Sequence, residues 1–142
     1  MAKTLTVKSE KAVLAYVIKN CDKIFDIDGI LIDAEDFSSP ISANIYRAAR
    51  SMAGEASELS DGSQLDRVLV EERIAREYPA SYNSSPESYT SAIDAIYKTD
   101  SPSDNQAKLH VRAVVTDSYR DKISRFLVRL KEDVSSSTNA AE

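Results

Sequence analysis

The stretch FSSPISANIYRAARSM, Phe37 to Met52, opens as a turn and becomes a helix. Pro40 precedes Ile41, Ile45, Ala48, Ala49 and Met52, which recur at the helical period. The proline therefore marks a helix start: its fixed φ suits the first turn, and the N–H it lacks would have found no partner there. Gly54 is the expected close of that helix. Acids precede this unit and a polar segment follows it, so it reads as one compact element among several rather than part of a long rod.

Toward the amino end, Ser9 and Glu10 lead into Ala12, Val13, Tyr16, Val17 and Cys21, giving an N-cap, a first-turn acid and an apolar stripe. A helix is expected from about Glu10 to Lys23. Between the two helices lies IFDIDGILI, with Gly29 as a break and Ile24, Phe25, Ile27, Ile30, Leu31 and Ile32 as expected core residues. The run ILI is too short for periodicity to separate a strand from a buried turn, and no strand is assigned.

Toward the carboxyl end, the polar segment EASELSDGS leads to QLDRVLVEERIAREY, where Leu65, Val68, Leu69 and Ile74 mark a third helix with Ser63 as its candidate cap. ASYNSSP is a loop by composition. Pro86 opens a fourth helix carrying Tyr89, Ala92, Ile93, Ile96 and Tyr97, which stops near Thr99. The last helix is the long one. From Ser103, apolar residues fall at Ala107, Val111, Val114, Val115, Tyr119, Ile123, Phe126, Leu127 and Leu130 with no Gly or Pro. About 28 residues at 1.5 Å each make a rod of roughly 42 Å, longer than a small domain is wide, so part of it should project. The tail VSSSTNAAE has too few apolar residues to pack and is expected to be disordered or a linker.

These elements give an all-α fold: a compact bundle of about five to six helices over 1–100, a long helix over 101–133, and a tail over 134–142. With 142 residues, 42% of them hydrophobic, the chain supports one domain with a core. Cys21 is alone, so no disulfide forms within the chain, and inside a helical pattern it reads as a small buried apolar residue. The amino end has no secretory signal pattern and no segment approaches the roughly 20 apolar residues of a membrane span, so a cytoplasmic protein without membrane contact is expected. A net charge of −5 argues against DNA binding through the overall field, and protein partners are expected instead.

The chemistry-bearing residues are sparse. No GxxxxGK[ST] occurs, and three glycines, Gly29, Gly54 and Gly62, make no phosphate-cradling loop. Asp26, Asp28, Asp33, Glu35 and Asp36 are dense, but lack the ligand spacing of a calcium loop and read as a solvated acidic segment. His110 is the only histidine, so no zinc set of the usual spacing exists, and it reads as a helix-face residue. Tyr16, Tyr46, Tyr89, Tyr97 and Tyr119 fall at apolar-stripe positions, which favours core packing over base stacking; Tyr78 and Tyr82 flank a loop. Arg112, Arg120, Arg125 and Arg129 are interleaved with Asp117 and Asp121 on the last helix, a pattern better suited to solvation or a partner helix than to phosphates. No catalytic, cofactor-binding or metal residues are assigned.

The order SEKAVLAYVI, EDFSSPISANIYRAARSM, SYTSAIDAIYKTDSPSDNQAKLHVRAVV resembles the N-terminal domain of DnaB-like replicative DNA helicases. That family's E-x-A-V-L is matched by Glu10, Ala12, Val13 and Leu14. Its D-F-x-x-P-x-H-x-x-I-[FY]-x-A unit is matched by Asp36, Phe37, Pro40, Ile45, Tyr46 and Ala48, with Ser42 where the family has histidine. Tyr89 heads its Y-L-x-x-L segment. Ser101, Pro102 and Ser103 stand for its T-P-S-x-x-N turn, and Arg112 and Val114 fall in its Y-A-x-I-V helix with His110 at the tyrosine place. The resemblance runs from residue 9 to about 130.

The resemblance implies a helical bundle followed by a helical hairpin, with hairpins pairing between subunits to form a trimer-of-dimers collar on which primase and the helicase loader dock. Val13, Leu14, Phe37, Pro40, Ile45, Tyr46, Tyr89 and Pro102 are the core residues it implies. The long helix would be the hairpin's first arm, and the stripe Val115, Tyr119, Ile123, Phe126, Leu127 and Leu130 is the expected self-association surface, since apolar residues beyond the body must be buried somewhere. The alternative is that the stripe folds back on its own chain. A second arm and the ATPase domain are absent from these residues, which fits a truncated helicase or a stand-alone adaptor or inhibitor that copies the collar and acts in trans. Divergence from the usual pattern points to a phage-encoded member.

Overall fold

The computed structural model describes residues 2–25, 27, 29–56 and 63–141, with side chains over 7–25, 27, 29–56 and 63–135. Six α-helices follow one another: α1 Ala2–Lys19, α2 Pro40–Glu55, α3 Arg67–Glu77, α4 Pro79–Ser84, α5 Pro86–Lys98 and α6 Asp104–Ala141. Two 3₁₀ turns, Cys21–Lys23 and Ala34–Asp36, lie between α1 and α2. Among the described residues there is no named strand; the one antiparallel bridge pairs Ile27 with Ile30 around Gly29, and the all-α class holds.

Helix α1 is the axis of the body. Val13 to Ile18 are buried without interruption, as expected of a helix that is apolar on all sides. It packs against α6, α2 and α5. It begins at Ala2, well before the expected cap, because nothing from Ala2 to Ser9 breaks a helix; Ser9 is internal, and its hydroxyl meets His110 Nδ1 at 3.1 Å. It ends four residues earlier than expected. Asn20 N–H donates to the Tyr16 carbonyl at 2.8 Å, and its side-chain amide repeats the bond at 3.0 Å. Cys21 is buried in the 3₁₀ turn that follows.

The segment after it divides by face. Ile24, Ile27 and Ile32 are buried and Ile30 is partly so, but Phe25 and Leu31, expected in the core, face outward. Phe25 is instead covered by the Arg50 guanidinium, 5.8 Å from its ring. Leu31, 79% exposed, follows the turn at Gly29, whose φ of 77° belongs to the left-handed region. Asp33 and Asp36 then form a reciprocal capping box on the second 3₁₀ turn.

Ser39 Oγ caps α2 by accepting from Ile41 N–H at 3.1 Å, with Pro40 in the first turn. Pro40 is therefore exposed and acts on the backbone, not in the core, and Pro102 is half-buried. The other residues expected of the core, Val13, Leu14, Phe37, Ile45, Tyr46 and Tyr89, are buried. Ala43, Ala48, Ala49 and Ala53 of α2 are buried. The helix runs through Gly54 to Glu55.

Asp66, not Ser63, caps α3, its carboxylate accepting from Leu69 N–H at 3.1 Å. Starting at Arg67, the helix turns Val70 and Ile74 into the core and leaves Val68 and Leu69 exposed. ASYNSSP is no loop: Pro79 starts the short helix α4, and Pro86 starts α5. Within the core, Asn44 donates to the Tyr89 hydroxyl at 2.9 Å, which lies 2.6 Å from Ser81 Oγ, joining α2, α4 and α5. Tyr46 donates to the Ile32 carbonyl at 2.9 Å and Tyr97 to the Leu65 carbonyl at 2.7 Å.

Candidate docking surface on the last helix

Helix α6 divides by burial into two parts, though it is one in backbone. Its first part belongs to the body: Ala107, Val111 and Val114 are buried and Val115 packs partly against them. The turn before it is pinned by Asn20, whose amide donates to Ser101 Oγ at 3.1 Å. Asp104 in its first turn accepts from the Tyr16 hydroxyl at 2.7 Å; burial first, and this bond second, push the Tyr16 phenol above its usual range. Burial likewise pushes up the Tyr97 and Tyr46 phenols.

The last ties to the body are Ser118, donating to Asp36 Oδ1 at 2.8 Å, and Lys122, 3.7 Å from the same carboxylate. They close one side of a charged cleft of about 650 Å³ between α6 and the second 3₁₀ turn, with Phe37 and Val7 in its wall. Charges of both signs line it, from Glu35 and Asp121 to Arg120 and Arg125. No group of three or more His, Cys, Asp or Glu side chains able to hold a metal occurs among the described residues. Asp26 and Asp28 of the acidic segment, and Gly62, lie outside them.

From Tyr119 onward the side chains are exposed as far as Ser135. Tyr119 is 65% exposed, Phe126 62%, and Ile123, Leu127 and Leu130 are comparably open. Tyr119 is thus not the core tyrosine its spacing suggested, whereas Tyr16, Tyr46 and Tyr89 are buried and Tyr97 is half-buried. At 100° per residue, the mean direction of Tyr119, Ile123, Phe126, Leu127 and Leu130 is rotated by roughly 140° from that of Ala107, Val111 and Val114. The second stripe therefore points away from the body and cannot fold back onto it without unwinding the helix. The expected interface residues separate accordingly: Val115 joins the body, and the other five form the exposed stripe.

The helix is longer than expected, 38 residues or about 57 Å, and continues to Ala141 through the polar stretch read as a tail. That stretch holds no Gly or Pro to stop a helix. A second apolar exposure, Val68 on α3, sits with Ala75 and Tyr82 in a shallow groove edged by Glu71 and Glu72. Glu71 is already engaged, accepting from Tyr82 at 2.8 Å and Thr90 at 2.9 Å. Sequence spacing had placed Val68 and Leu69 inside; only the cap at Asp66 could have indicated otherwise.

No described helix is long and apolar enough to cross a membrane. The family model for the DnaB-like helicase N terminal domain matches residues 3–114. No curated protein and no solved structure matches the chain. The matched span ends at Val114, the last buried residue of α6 among those whose side chains are described, so it covers the body and stops short of the exposed stripe.

Proposed function

The chain belongs to the DnaB-like helicase N-terminal domain family, and on that premise we propose that it is the assembly and docking element of a hexameric replicative helicase. Domains of this family are non-catalytic and belong to helicases. Its work is to hold proteins together during DNA replication: subunits into a collar, and primase or helicase loader onto that collar. The single observation that carries this reading is the stripe from Tyr119 to Leu130, set on a rigid helix and turned away from its own core. Five large apolar side chains kept in water are a standing cost, and each contributes roughly 1.5–3 kcal/mol when fully buried against a partner.

A second reading, an adaptor that binds a helicase or primase in trans, draws on the same stripe, which a foreign helix can use as readily as a neighbouring subunit. In both readings the body supplies a rigid mount and α6 the contact. DNA is not assigned as a direct partner: the acids on α6 offset part of its basic charge, and the chain as a whole carries −5.

The test is light scattering coupled to size exclusion over a tenfold concentration range, for the chain alone and mixed with the primase and helicase of its own replication system. The expected result is a species larger than the 15.6 kDa monomer in at least one of these mixtures, reduced to monomer by the Phe126→Asp, Leu130→Asp double substitution. A chain that stays monomeric in every mixture while remaining folded overturns the proposal.

A further inference from the structure

The charges of α3 are unevenly matched. Arg67 reaches Asp94 on α5 at 2.7 Å, and Arg73 pairs with both Glu55 and Glu77. Arg76 lies on that second side, where its charge reaches Glu55. The two acids left over, Glu71 and Glu72, have no ion-pair partner among the described residues. Both line the groove of about 450 Å³ between α3 and α4, with Val68, Ala75 and Tyr82. Val68, the two glutamates and Ala75 stand at i, i+3, i+4 and i+7, so one helix face sets apolar surface on either side of two carboxylates.

Glu71 is held in place before any ligand arrives. Its Oε2 accepts from the Tyr82 hydroxyl at 2.8 Å and from the Thr90 hydroxyl at 2.9 Å, so α4 and α5 both fix it. These donors are neutral and leave the negative charge uncompensated, while Oε1 accepts from no described residue. We propose that this groove takes an arginine side chain presented by a partner protein, its guanidinium forked between Glu71 Oε1 and the Glu72 carboxylate and its stem laid along Val68 and Ala75. Charge selects the occupant: an acidic or wholly apolar segment would cover both carboxylates without supplying a counter-charge. Arginine fits better than lysine, because a planar fork meets two carboxylates at once and lies flat against the Tyr82 ring, where an ammonium is only a point charge.

No arginine of the same body makes this contact. Each has its side chain described, and only Arg67, turned to Asp94, borders the groove. A segment returning along α6, as the family's hairpin implies, keeps to another side, since α6 packs on α1 and the second 3₁₀ turn whereas the groove is built from α3 and α4 with support from α5. The contact is therefore separate from the α6 stripe and gives the body a surface of its own.

Capped tripeptides Leu-Arg-Leu and Leu-citrulline-Leu test the proposal, since citrulline keeps the shape of arginine without its charge. Titrated into the nitrogen-15-labelled full chain and followed by amide chemical shifts, the arginine peptide should move Val68 to Ala75, Tyr82 and Thr90. It should bind at least about fivefold more tightly than the citrulline peptide, with the gap narrowing as salt rises. Glu71→Gln, Glu72→Gln should erase the gap; glutamine at 71 still accepts from Tyr82 and Thr90, and unchanged amide shifts in the rest of the chain confirm the fold. Equal binding of the two peptides, or shifts confined to other acids such as Glu35 and Asp117, overturns the proposal. Binding of Leu-Lys-Leu as tight as that of the arginine peptide overturns the choice of arginine. Self-association of the wild-type chain during the titration, lost in the double variant, also overturns it by assigning the groove to a second copy. Each of these failures leaves the assembly reading standing, because light scattering of Phe126→Asp, Leu130→Asp tests the α6 stripe separately.

Discussion

Glu10 offers the sharpest test of how the body is held. Its carboxylate is buried, with the residue 2% exposed, and reaches across 28 residues of sequence to the entry of α2: one oxygen accepts from Ser38 N–H at 2.6 Å, the other from Ser38 Oγ at 2.7 Å. Hydrogen bonds to a charged acceptor contribute about 1.5–3 kcal/mol each. Ser38 itself is exposed, so its donors regain water when the acceptor is removed, and the two losses do not sum in full. Adding about 0.8 kcal/mol for one buried methylene, Glu10→Ala should cost about 3 kcal/mol, a fall in Tm of about 10 °C for a chain of this size. Glu10→Gln keeps the packing and one acceptor and should cost about 1.5 kcal/mol. Urea unfolding followed by far-ultraviolet circular dichroism measures both, provided the transition is two-state. If Glu10→Gln proves more stable than wild type, the penalty of burying the carboxylate exceeds what Ser38 returns, and the clasp is refuted as a net stabilising contact.

Tyr89→Phe should cost about 1–3 kcal/mol by the same assay, because it removes the closer of the two hydroxyls that the buried Asn44 amide donates to, leaving only Ser81 Oγ at 3.4 Å, and takes the 2.6 Å contact from Ser81. Stability should fall as pH rises through about 10, where an unfolded tyrosine loses its proton. Tyr16, Tyr46 and Tyr97 have raised phenol pKa values in the folded chain, so the folded state retains protons that the unfolded state releases, and base favours unfolding. Unfolding midpoints across that range, with tyrosinate absorbance alongside, measure the effect, and Tyr97→Phe should weaken the dependence. Gly29→Ala should cost about 1 kcal/mol in thermal unfolding, since φ of 77° strains any L side chain although the space around it is open. Leu31→Ser should leave stability within about 0.5 kcal/mol, its side chain being almost fully in water.

How far the sequence could be read depended on where each signal was local. Pro40 and Pro86 placed two helix starts because a proline ring acts on its own backbone, whatever surrounds it. The stripe Val13, Leu14, Val17 placed α1 in the core because so many apolar residues on one helix leave no face for water. Ser9 misled, since a good cap is only an option, and a chain with no breaker upstream continues its helix past it. ASYNSSP misled in the opposite direction: Ser and Asn favour turns, yet Pro79 opens a short helix there whose Tyr82 is held by Glu71 of α3. On the candidate docking surface, the stripe was legible as apolar, helical and reaching past the body, but where the body's share of it ends, with Val115 packed and Tyr119 exposed, was not.

By itself, then, the sequence determined the helical class, the order of the main helices, the family pattern and the presence of an apolar stripe too long for the body. Those properties follow from backbone preferences and periodicity, which act over a few residues. Tertiary structure alone decided which side of each helix is inside. Val70 and Ile74 were chosen over Val68 and Leu69 because a helix has one rotation about its axis, set by what it packs against. Glu10 was paired with Ser38, and Asp36 with Ser118, because folding brought distant segments into reach. The same packing ended at Ser118 and Lys122, and the stripe beyond them, turned by roughly 140°, was left uncovered by the body.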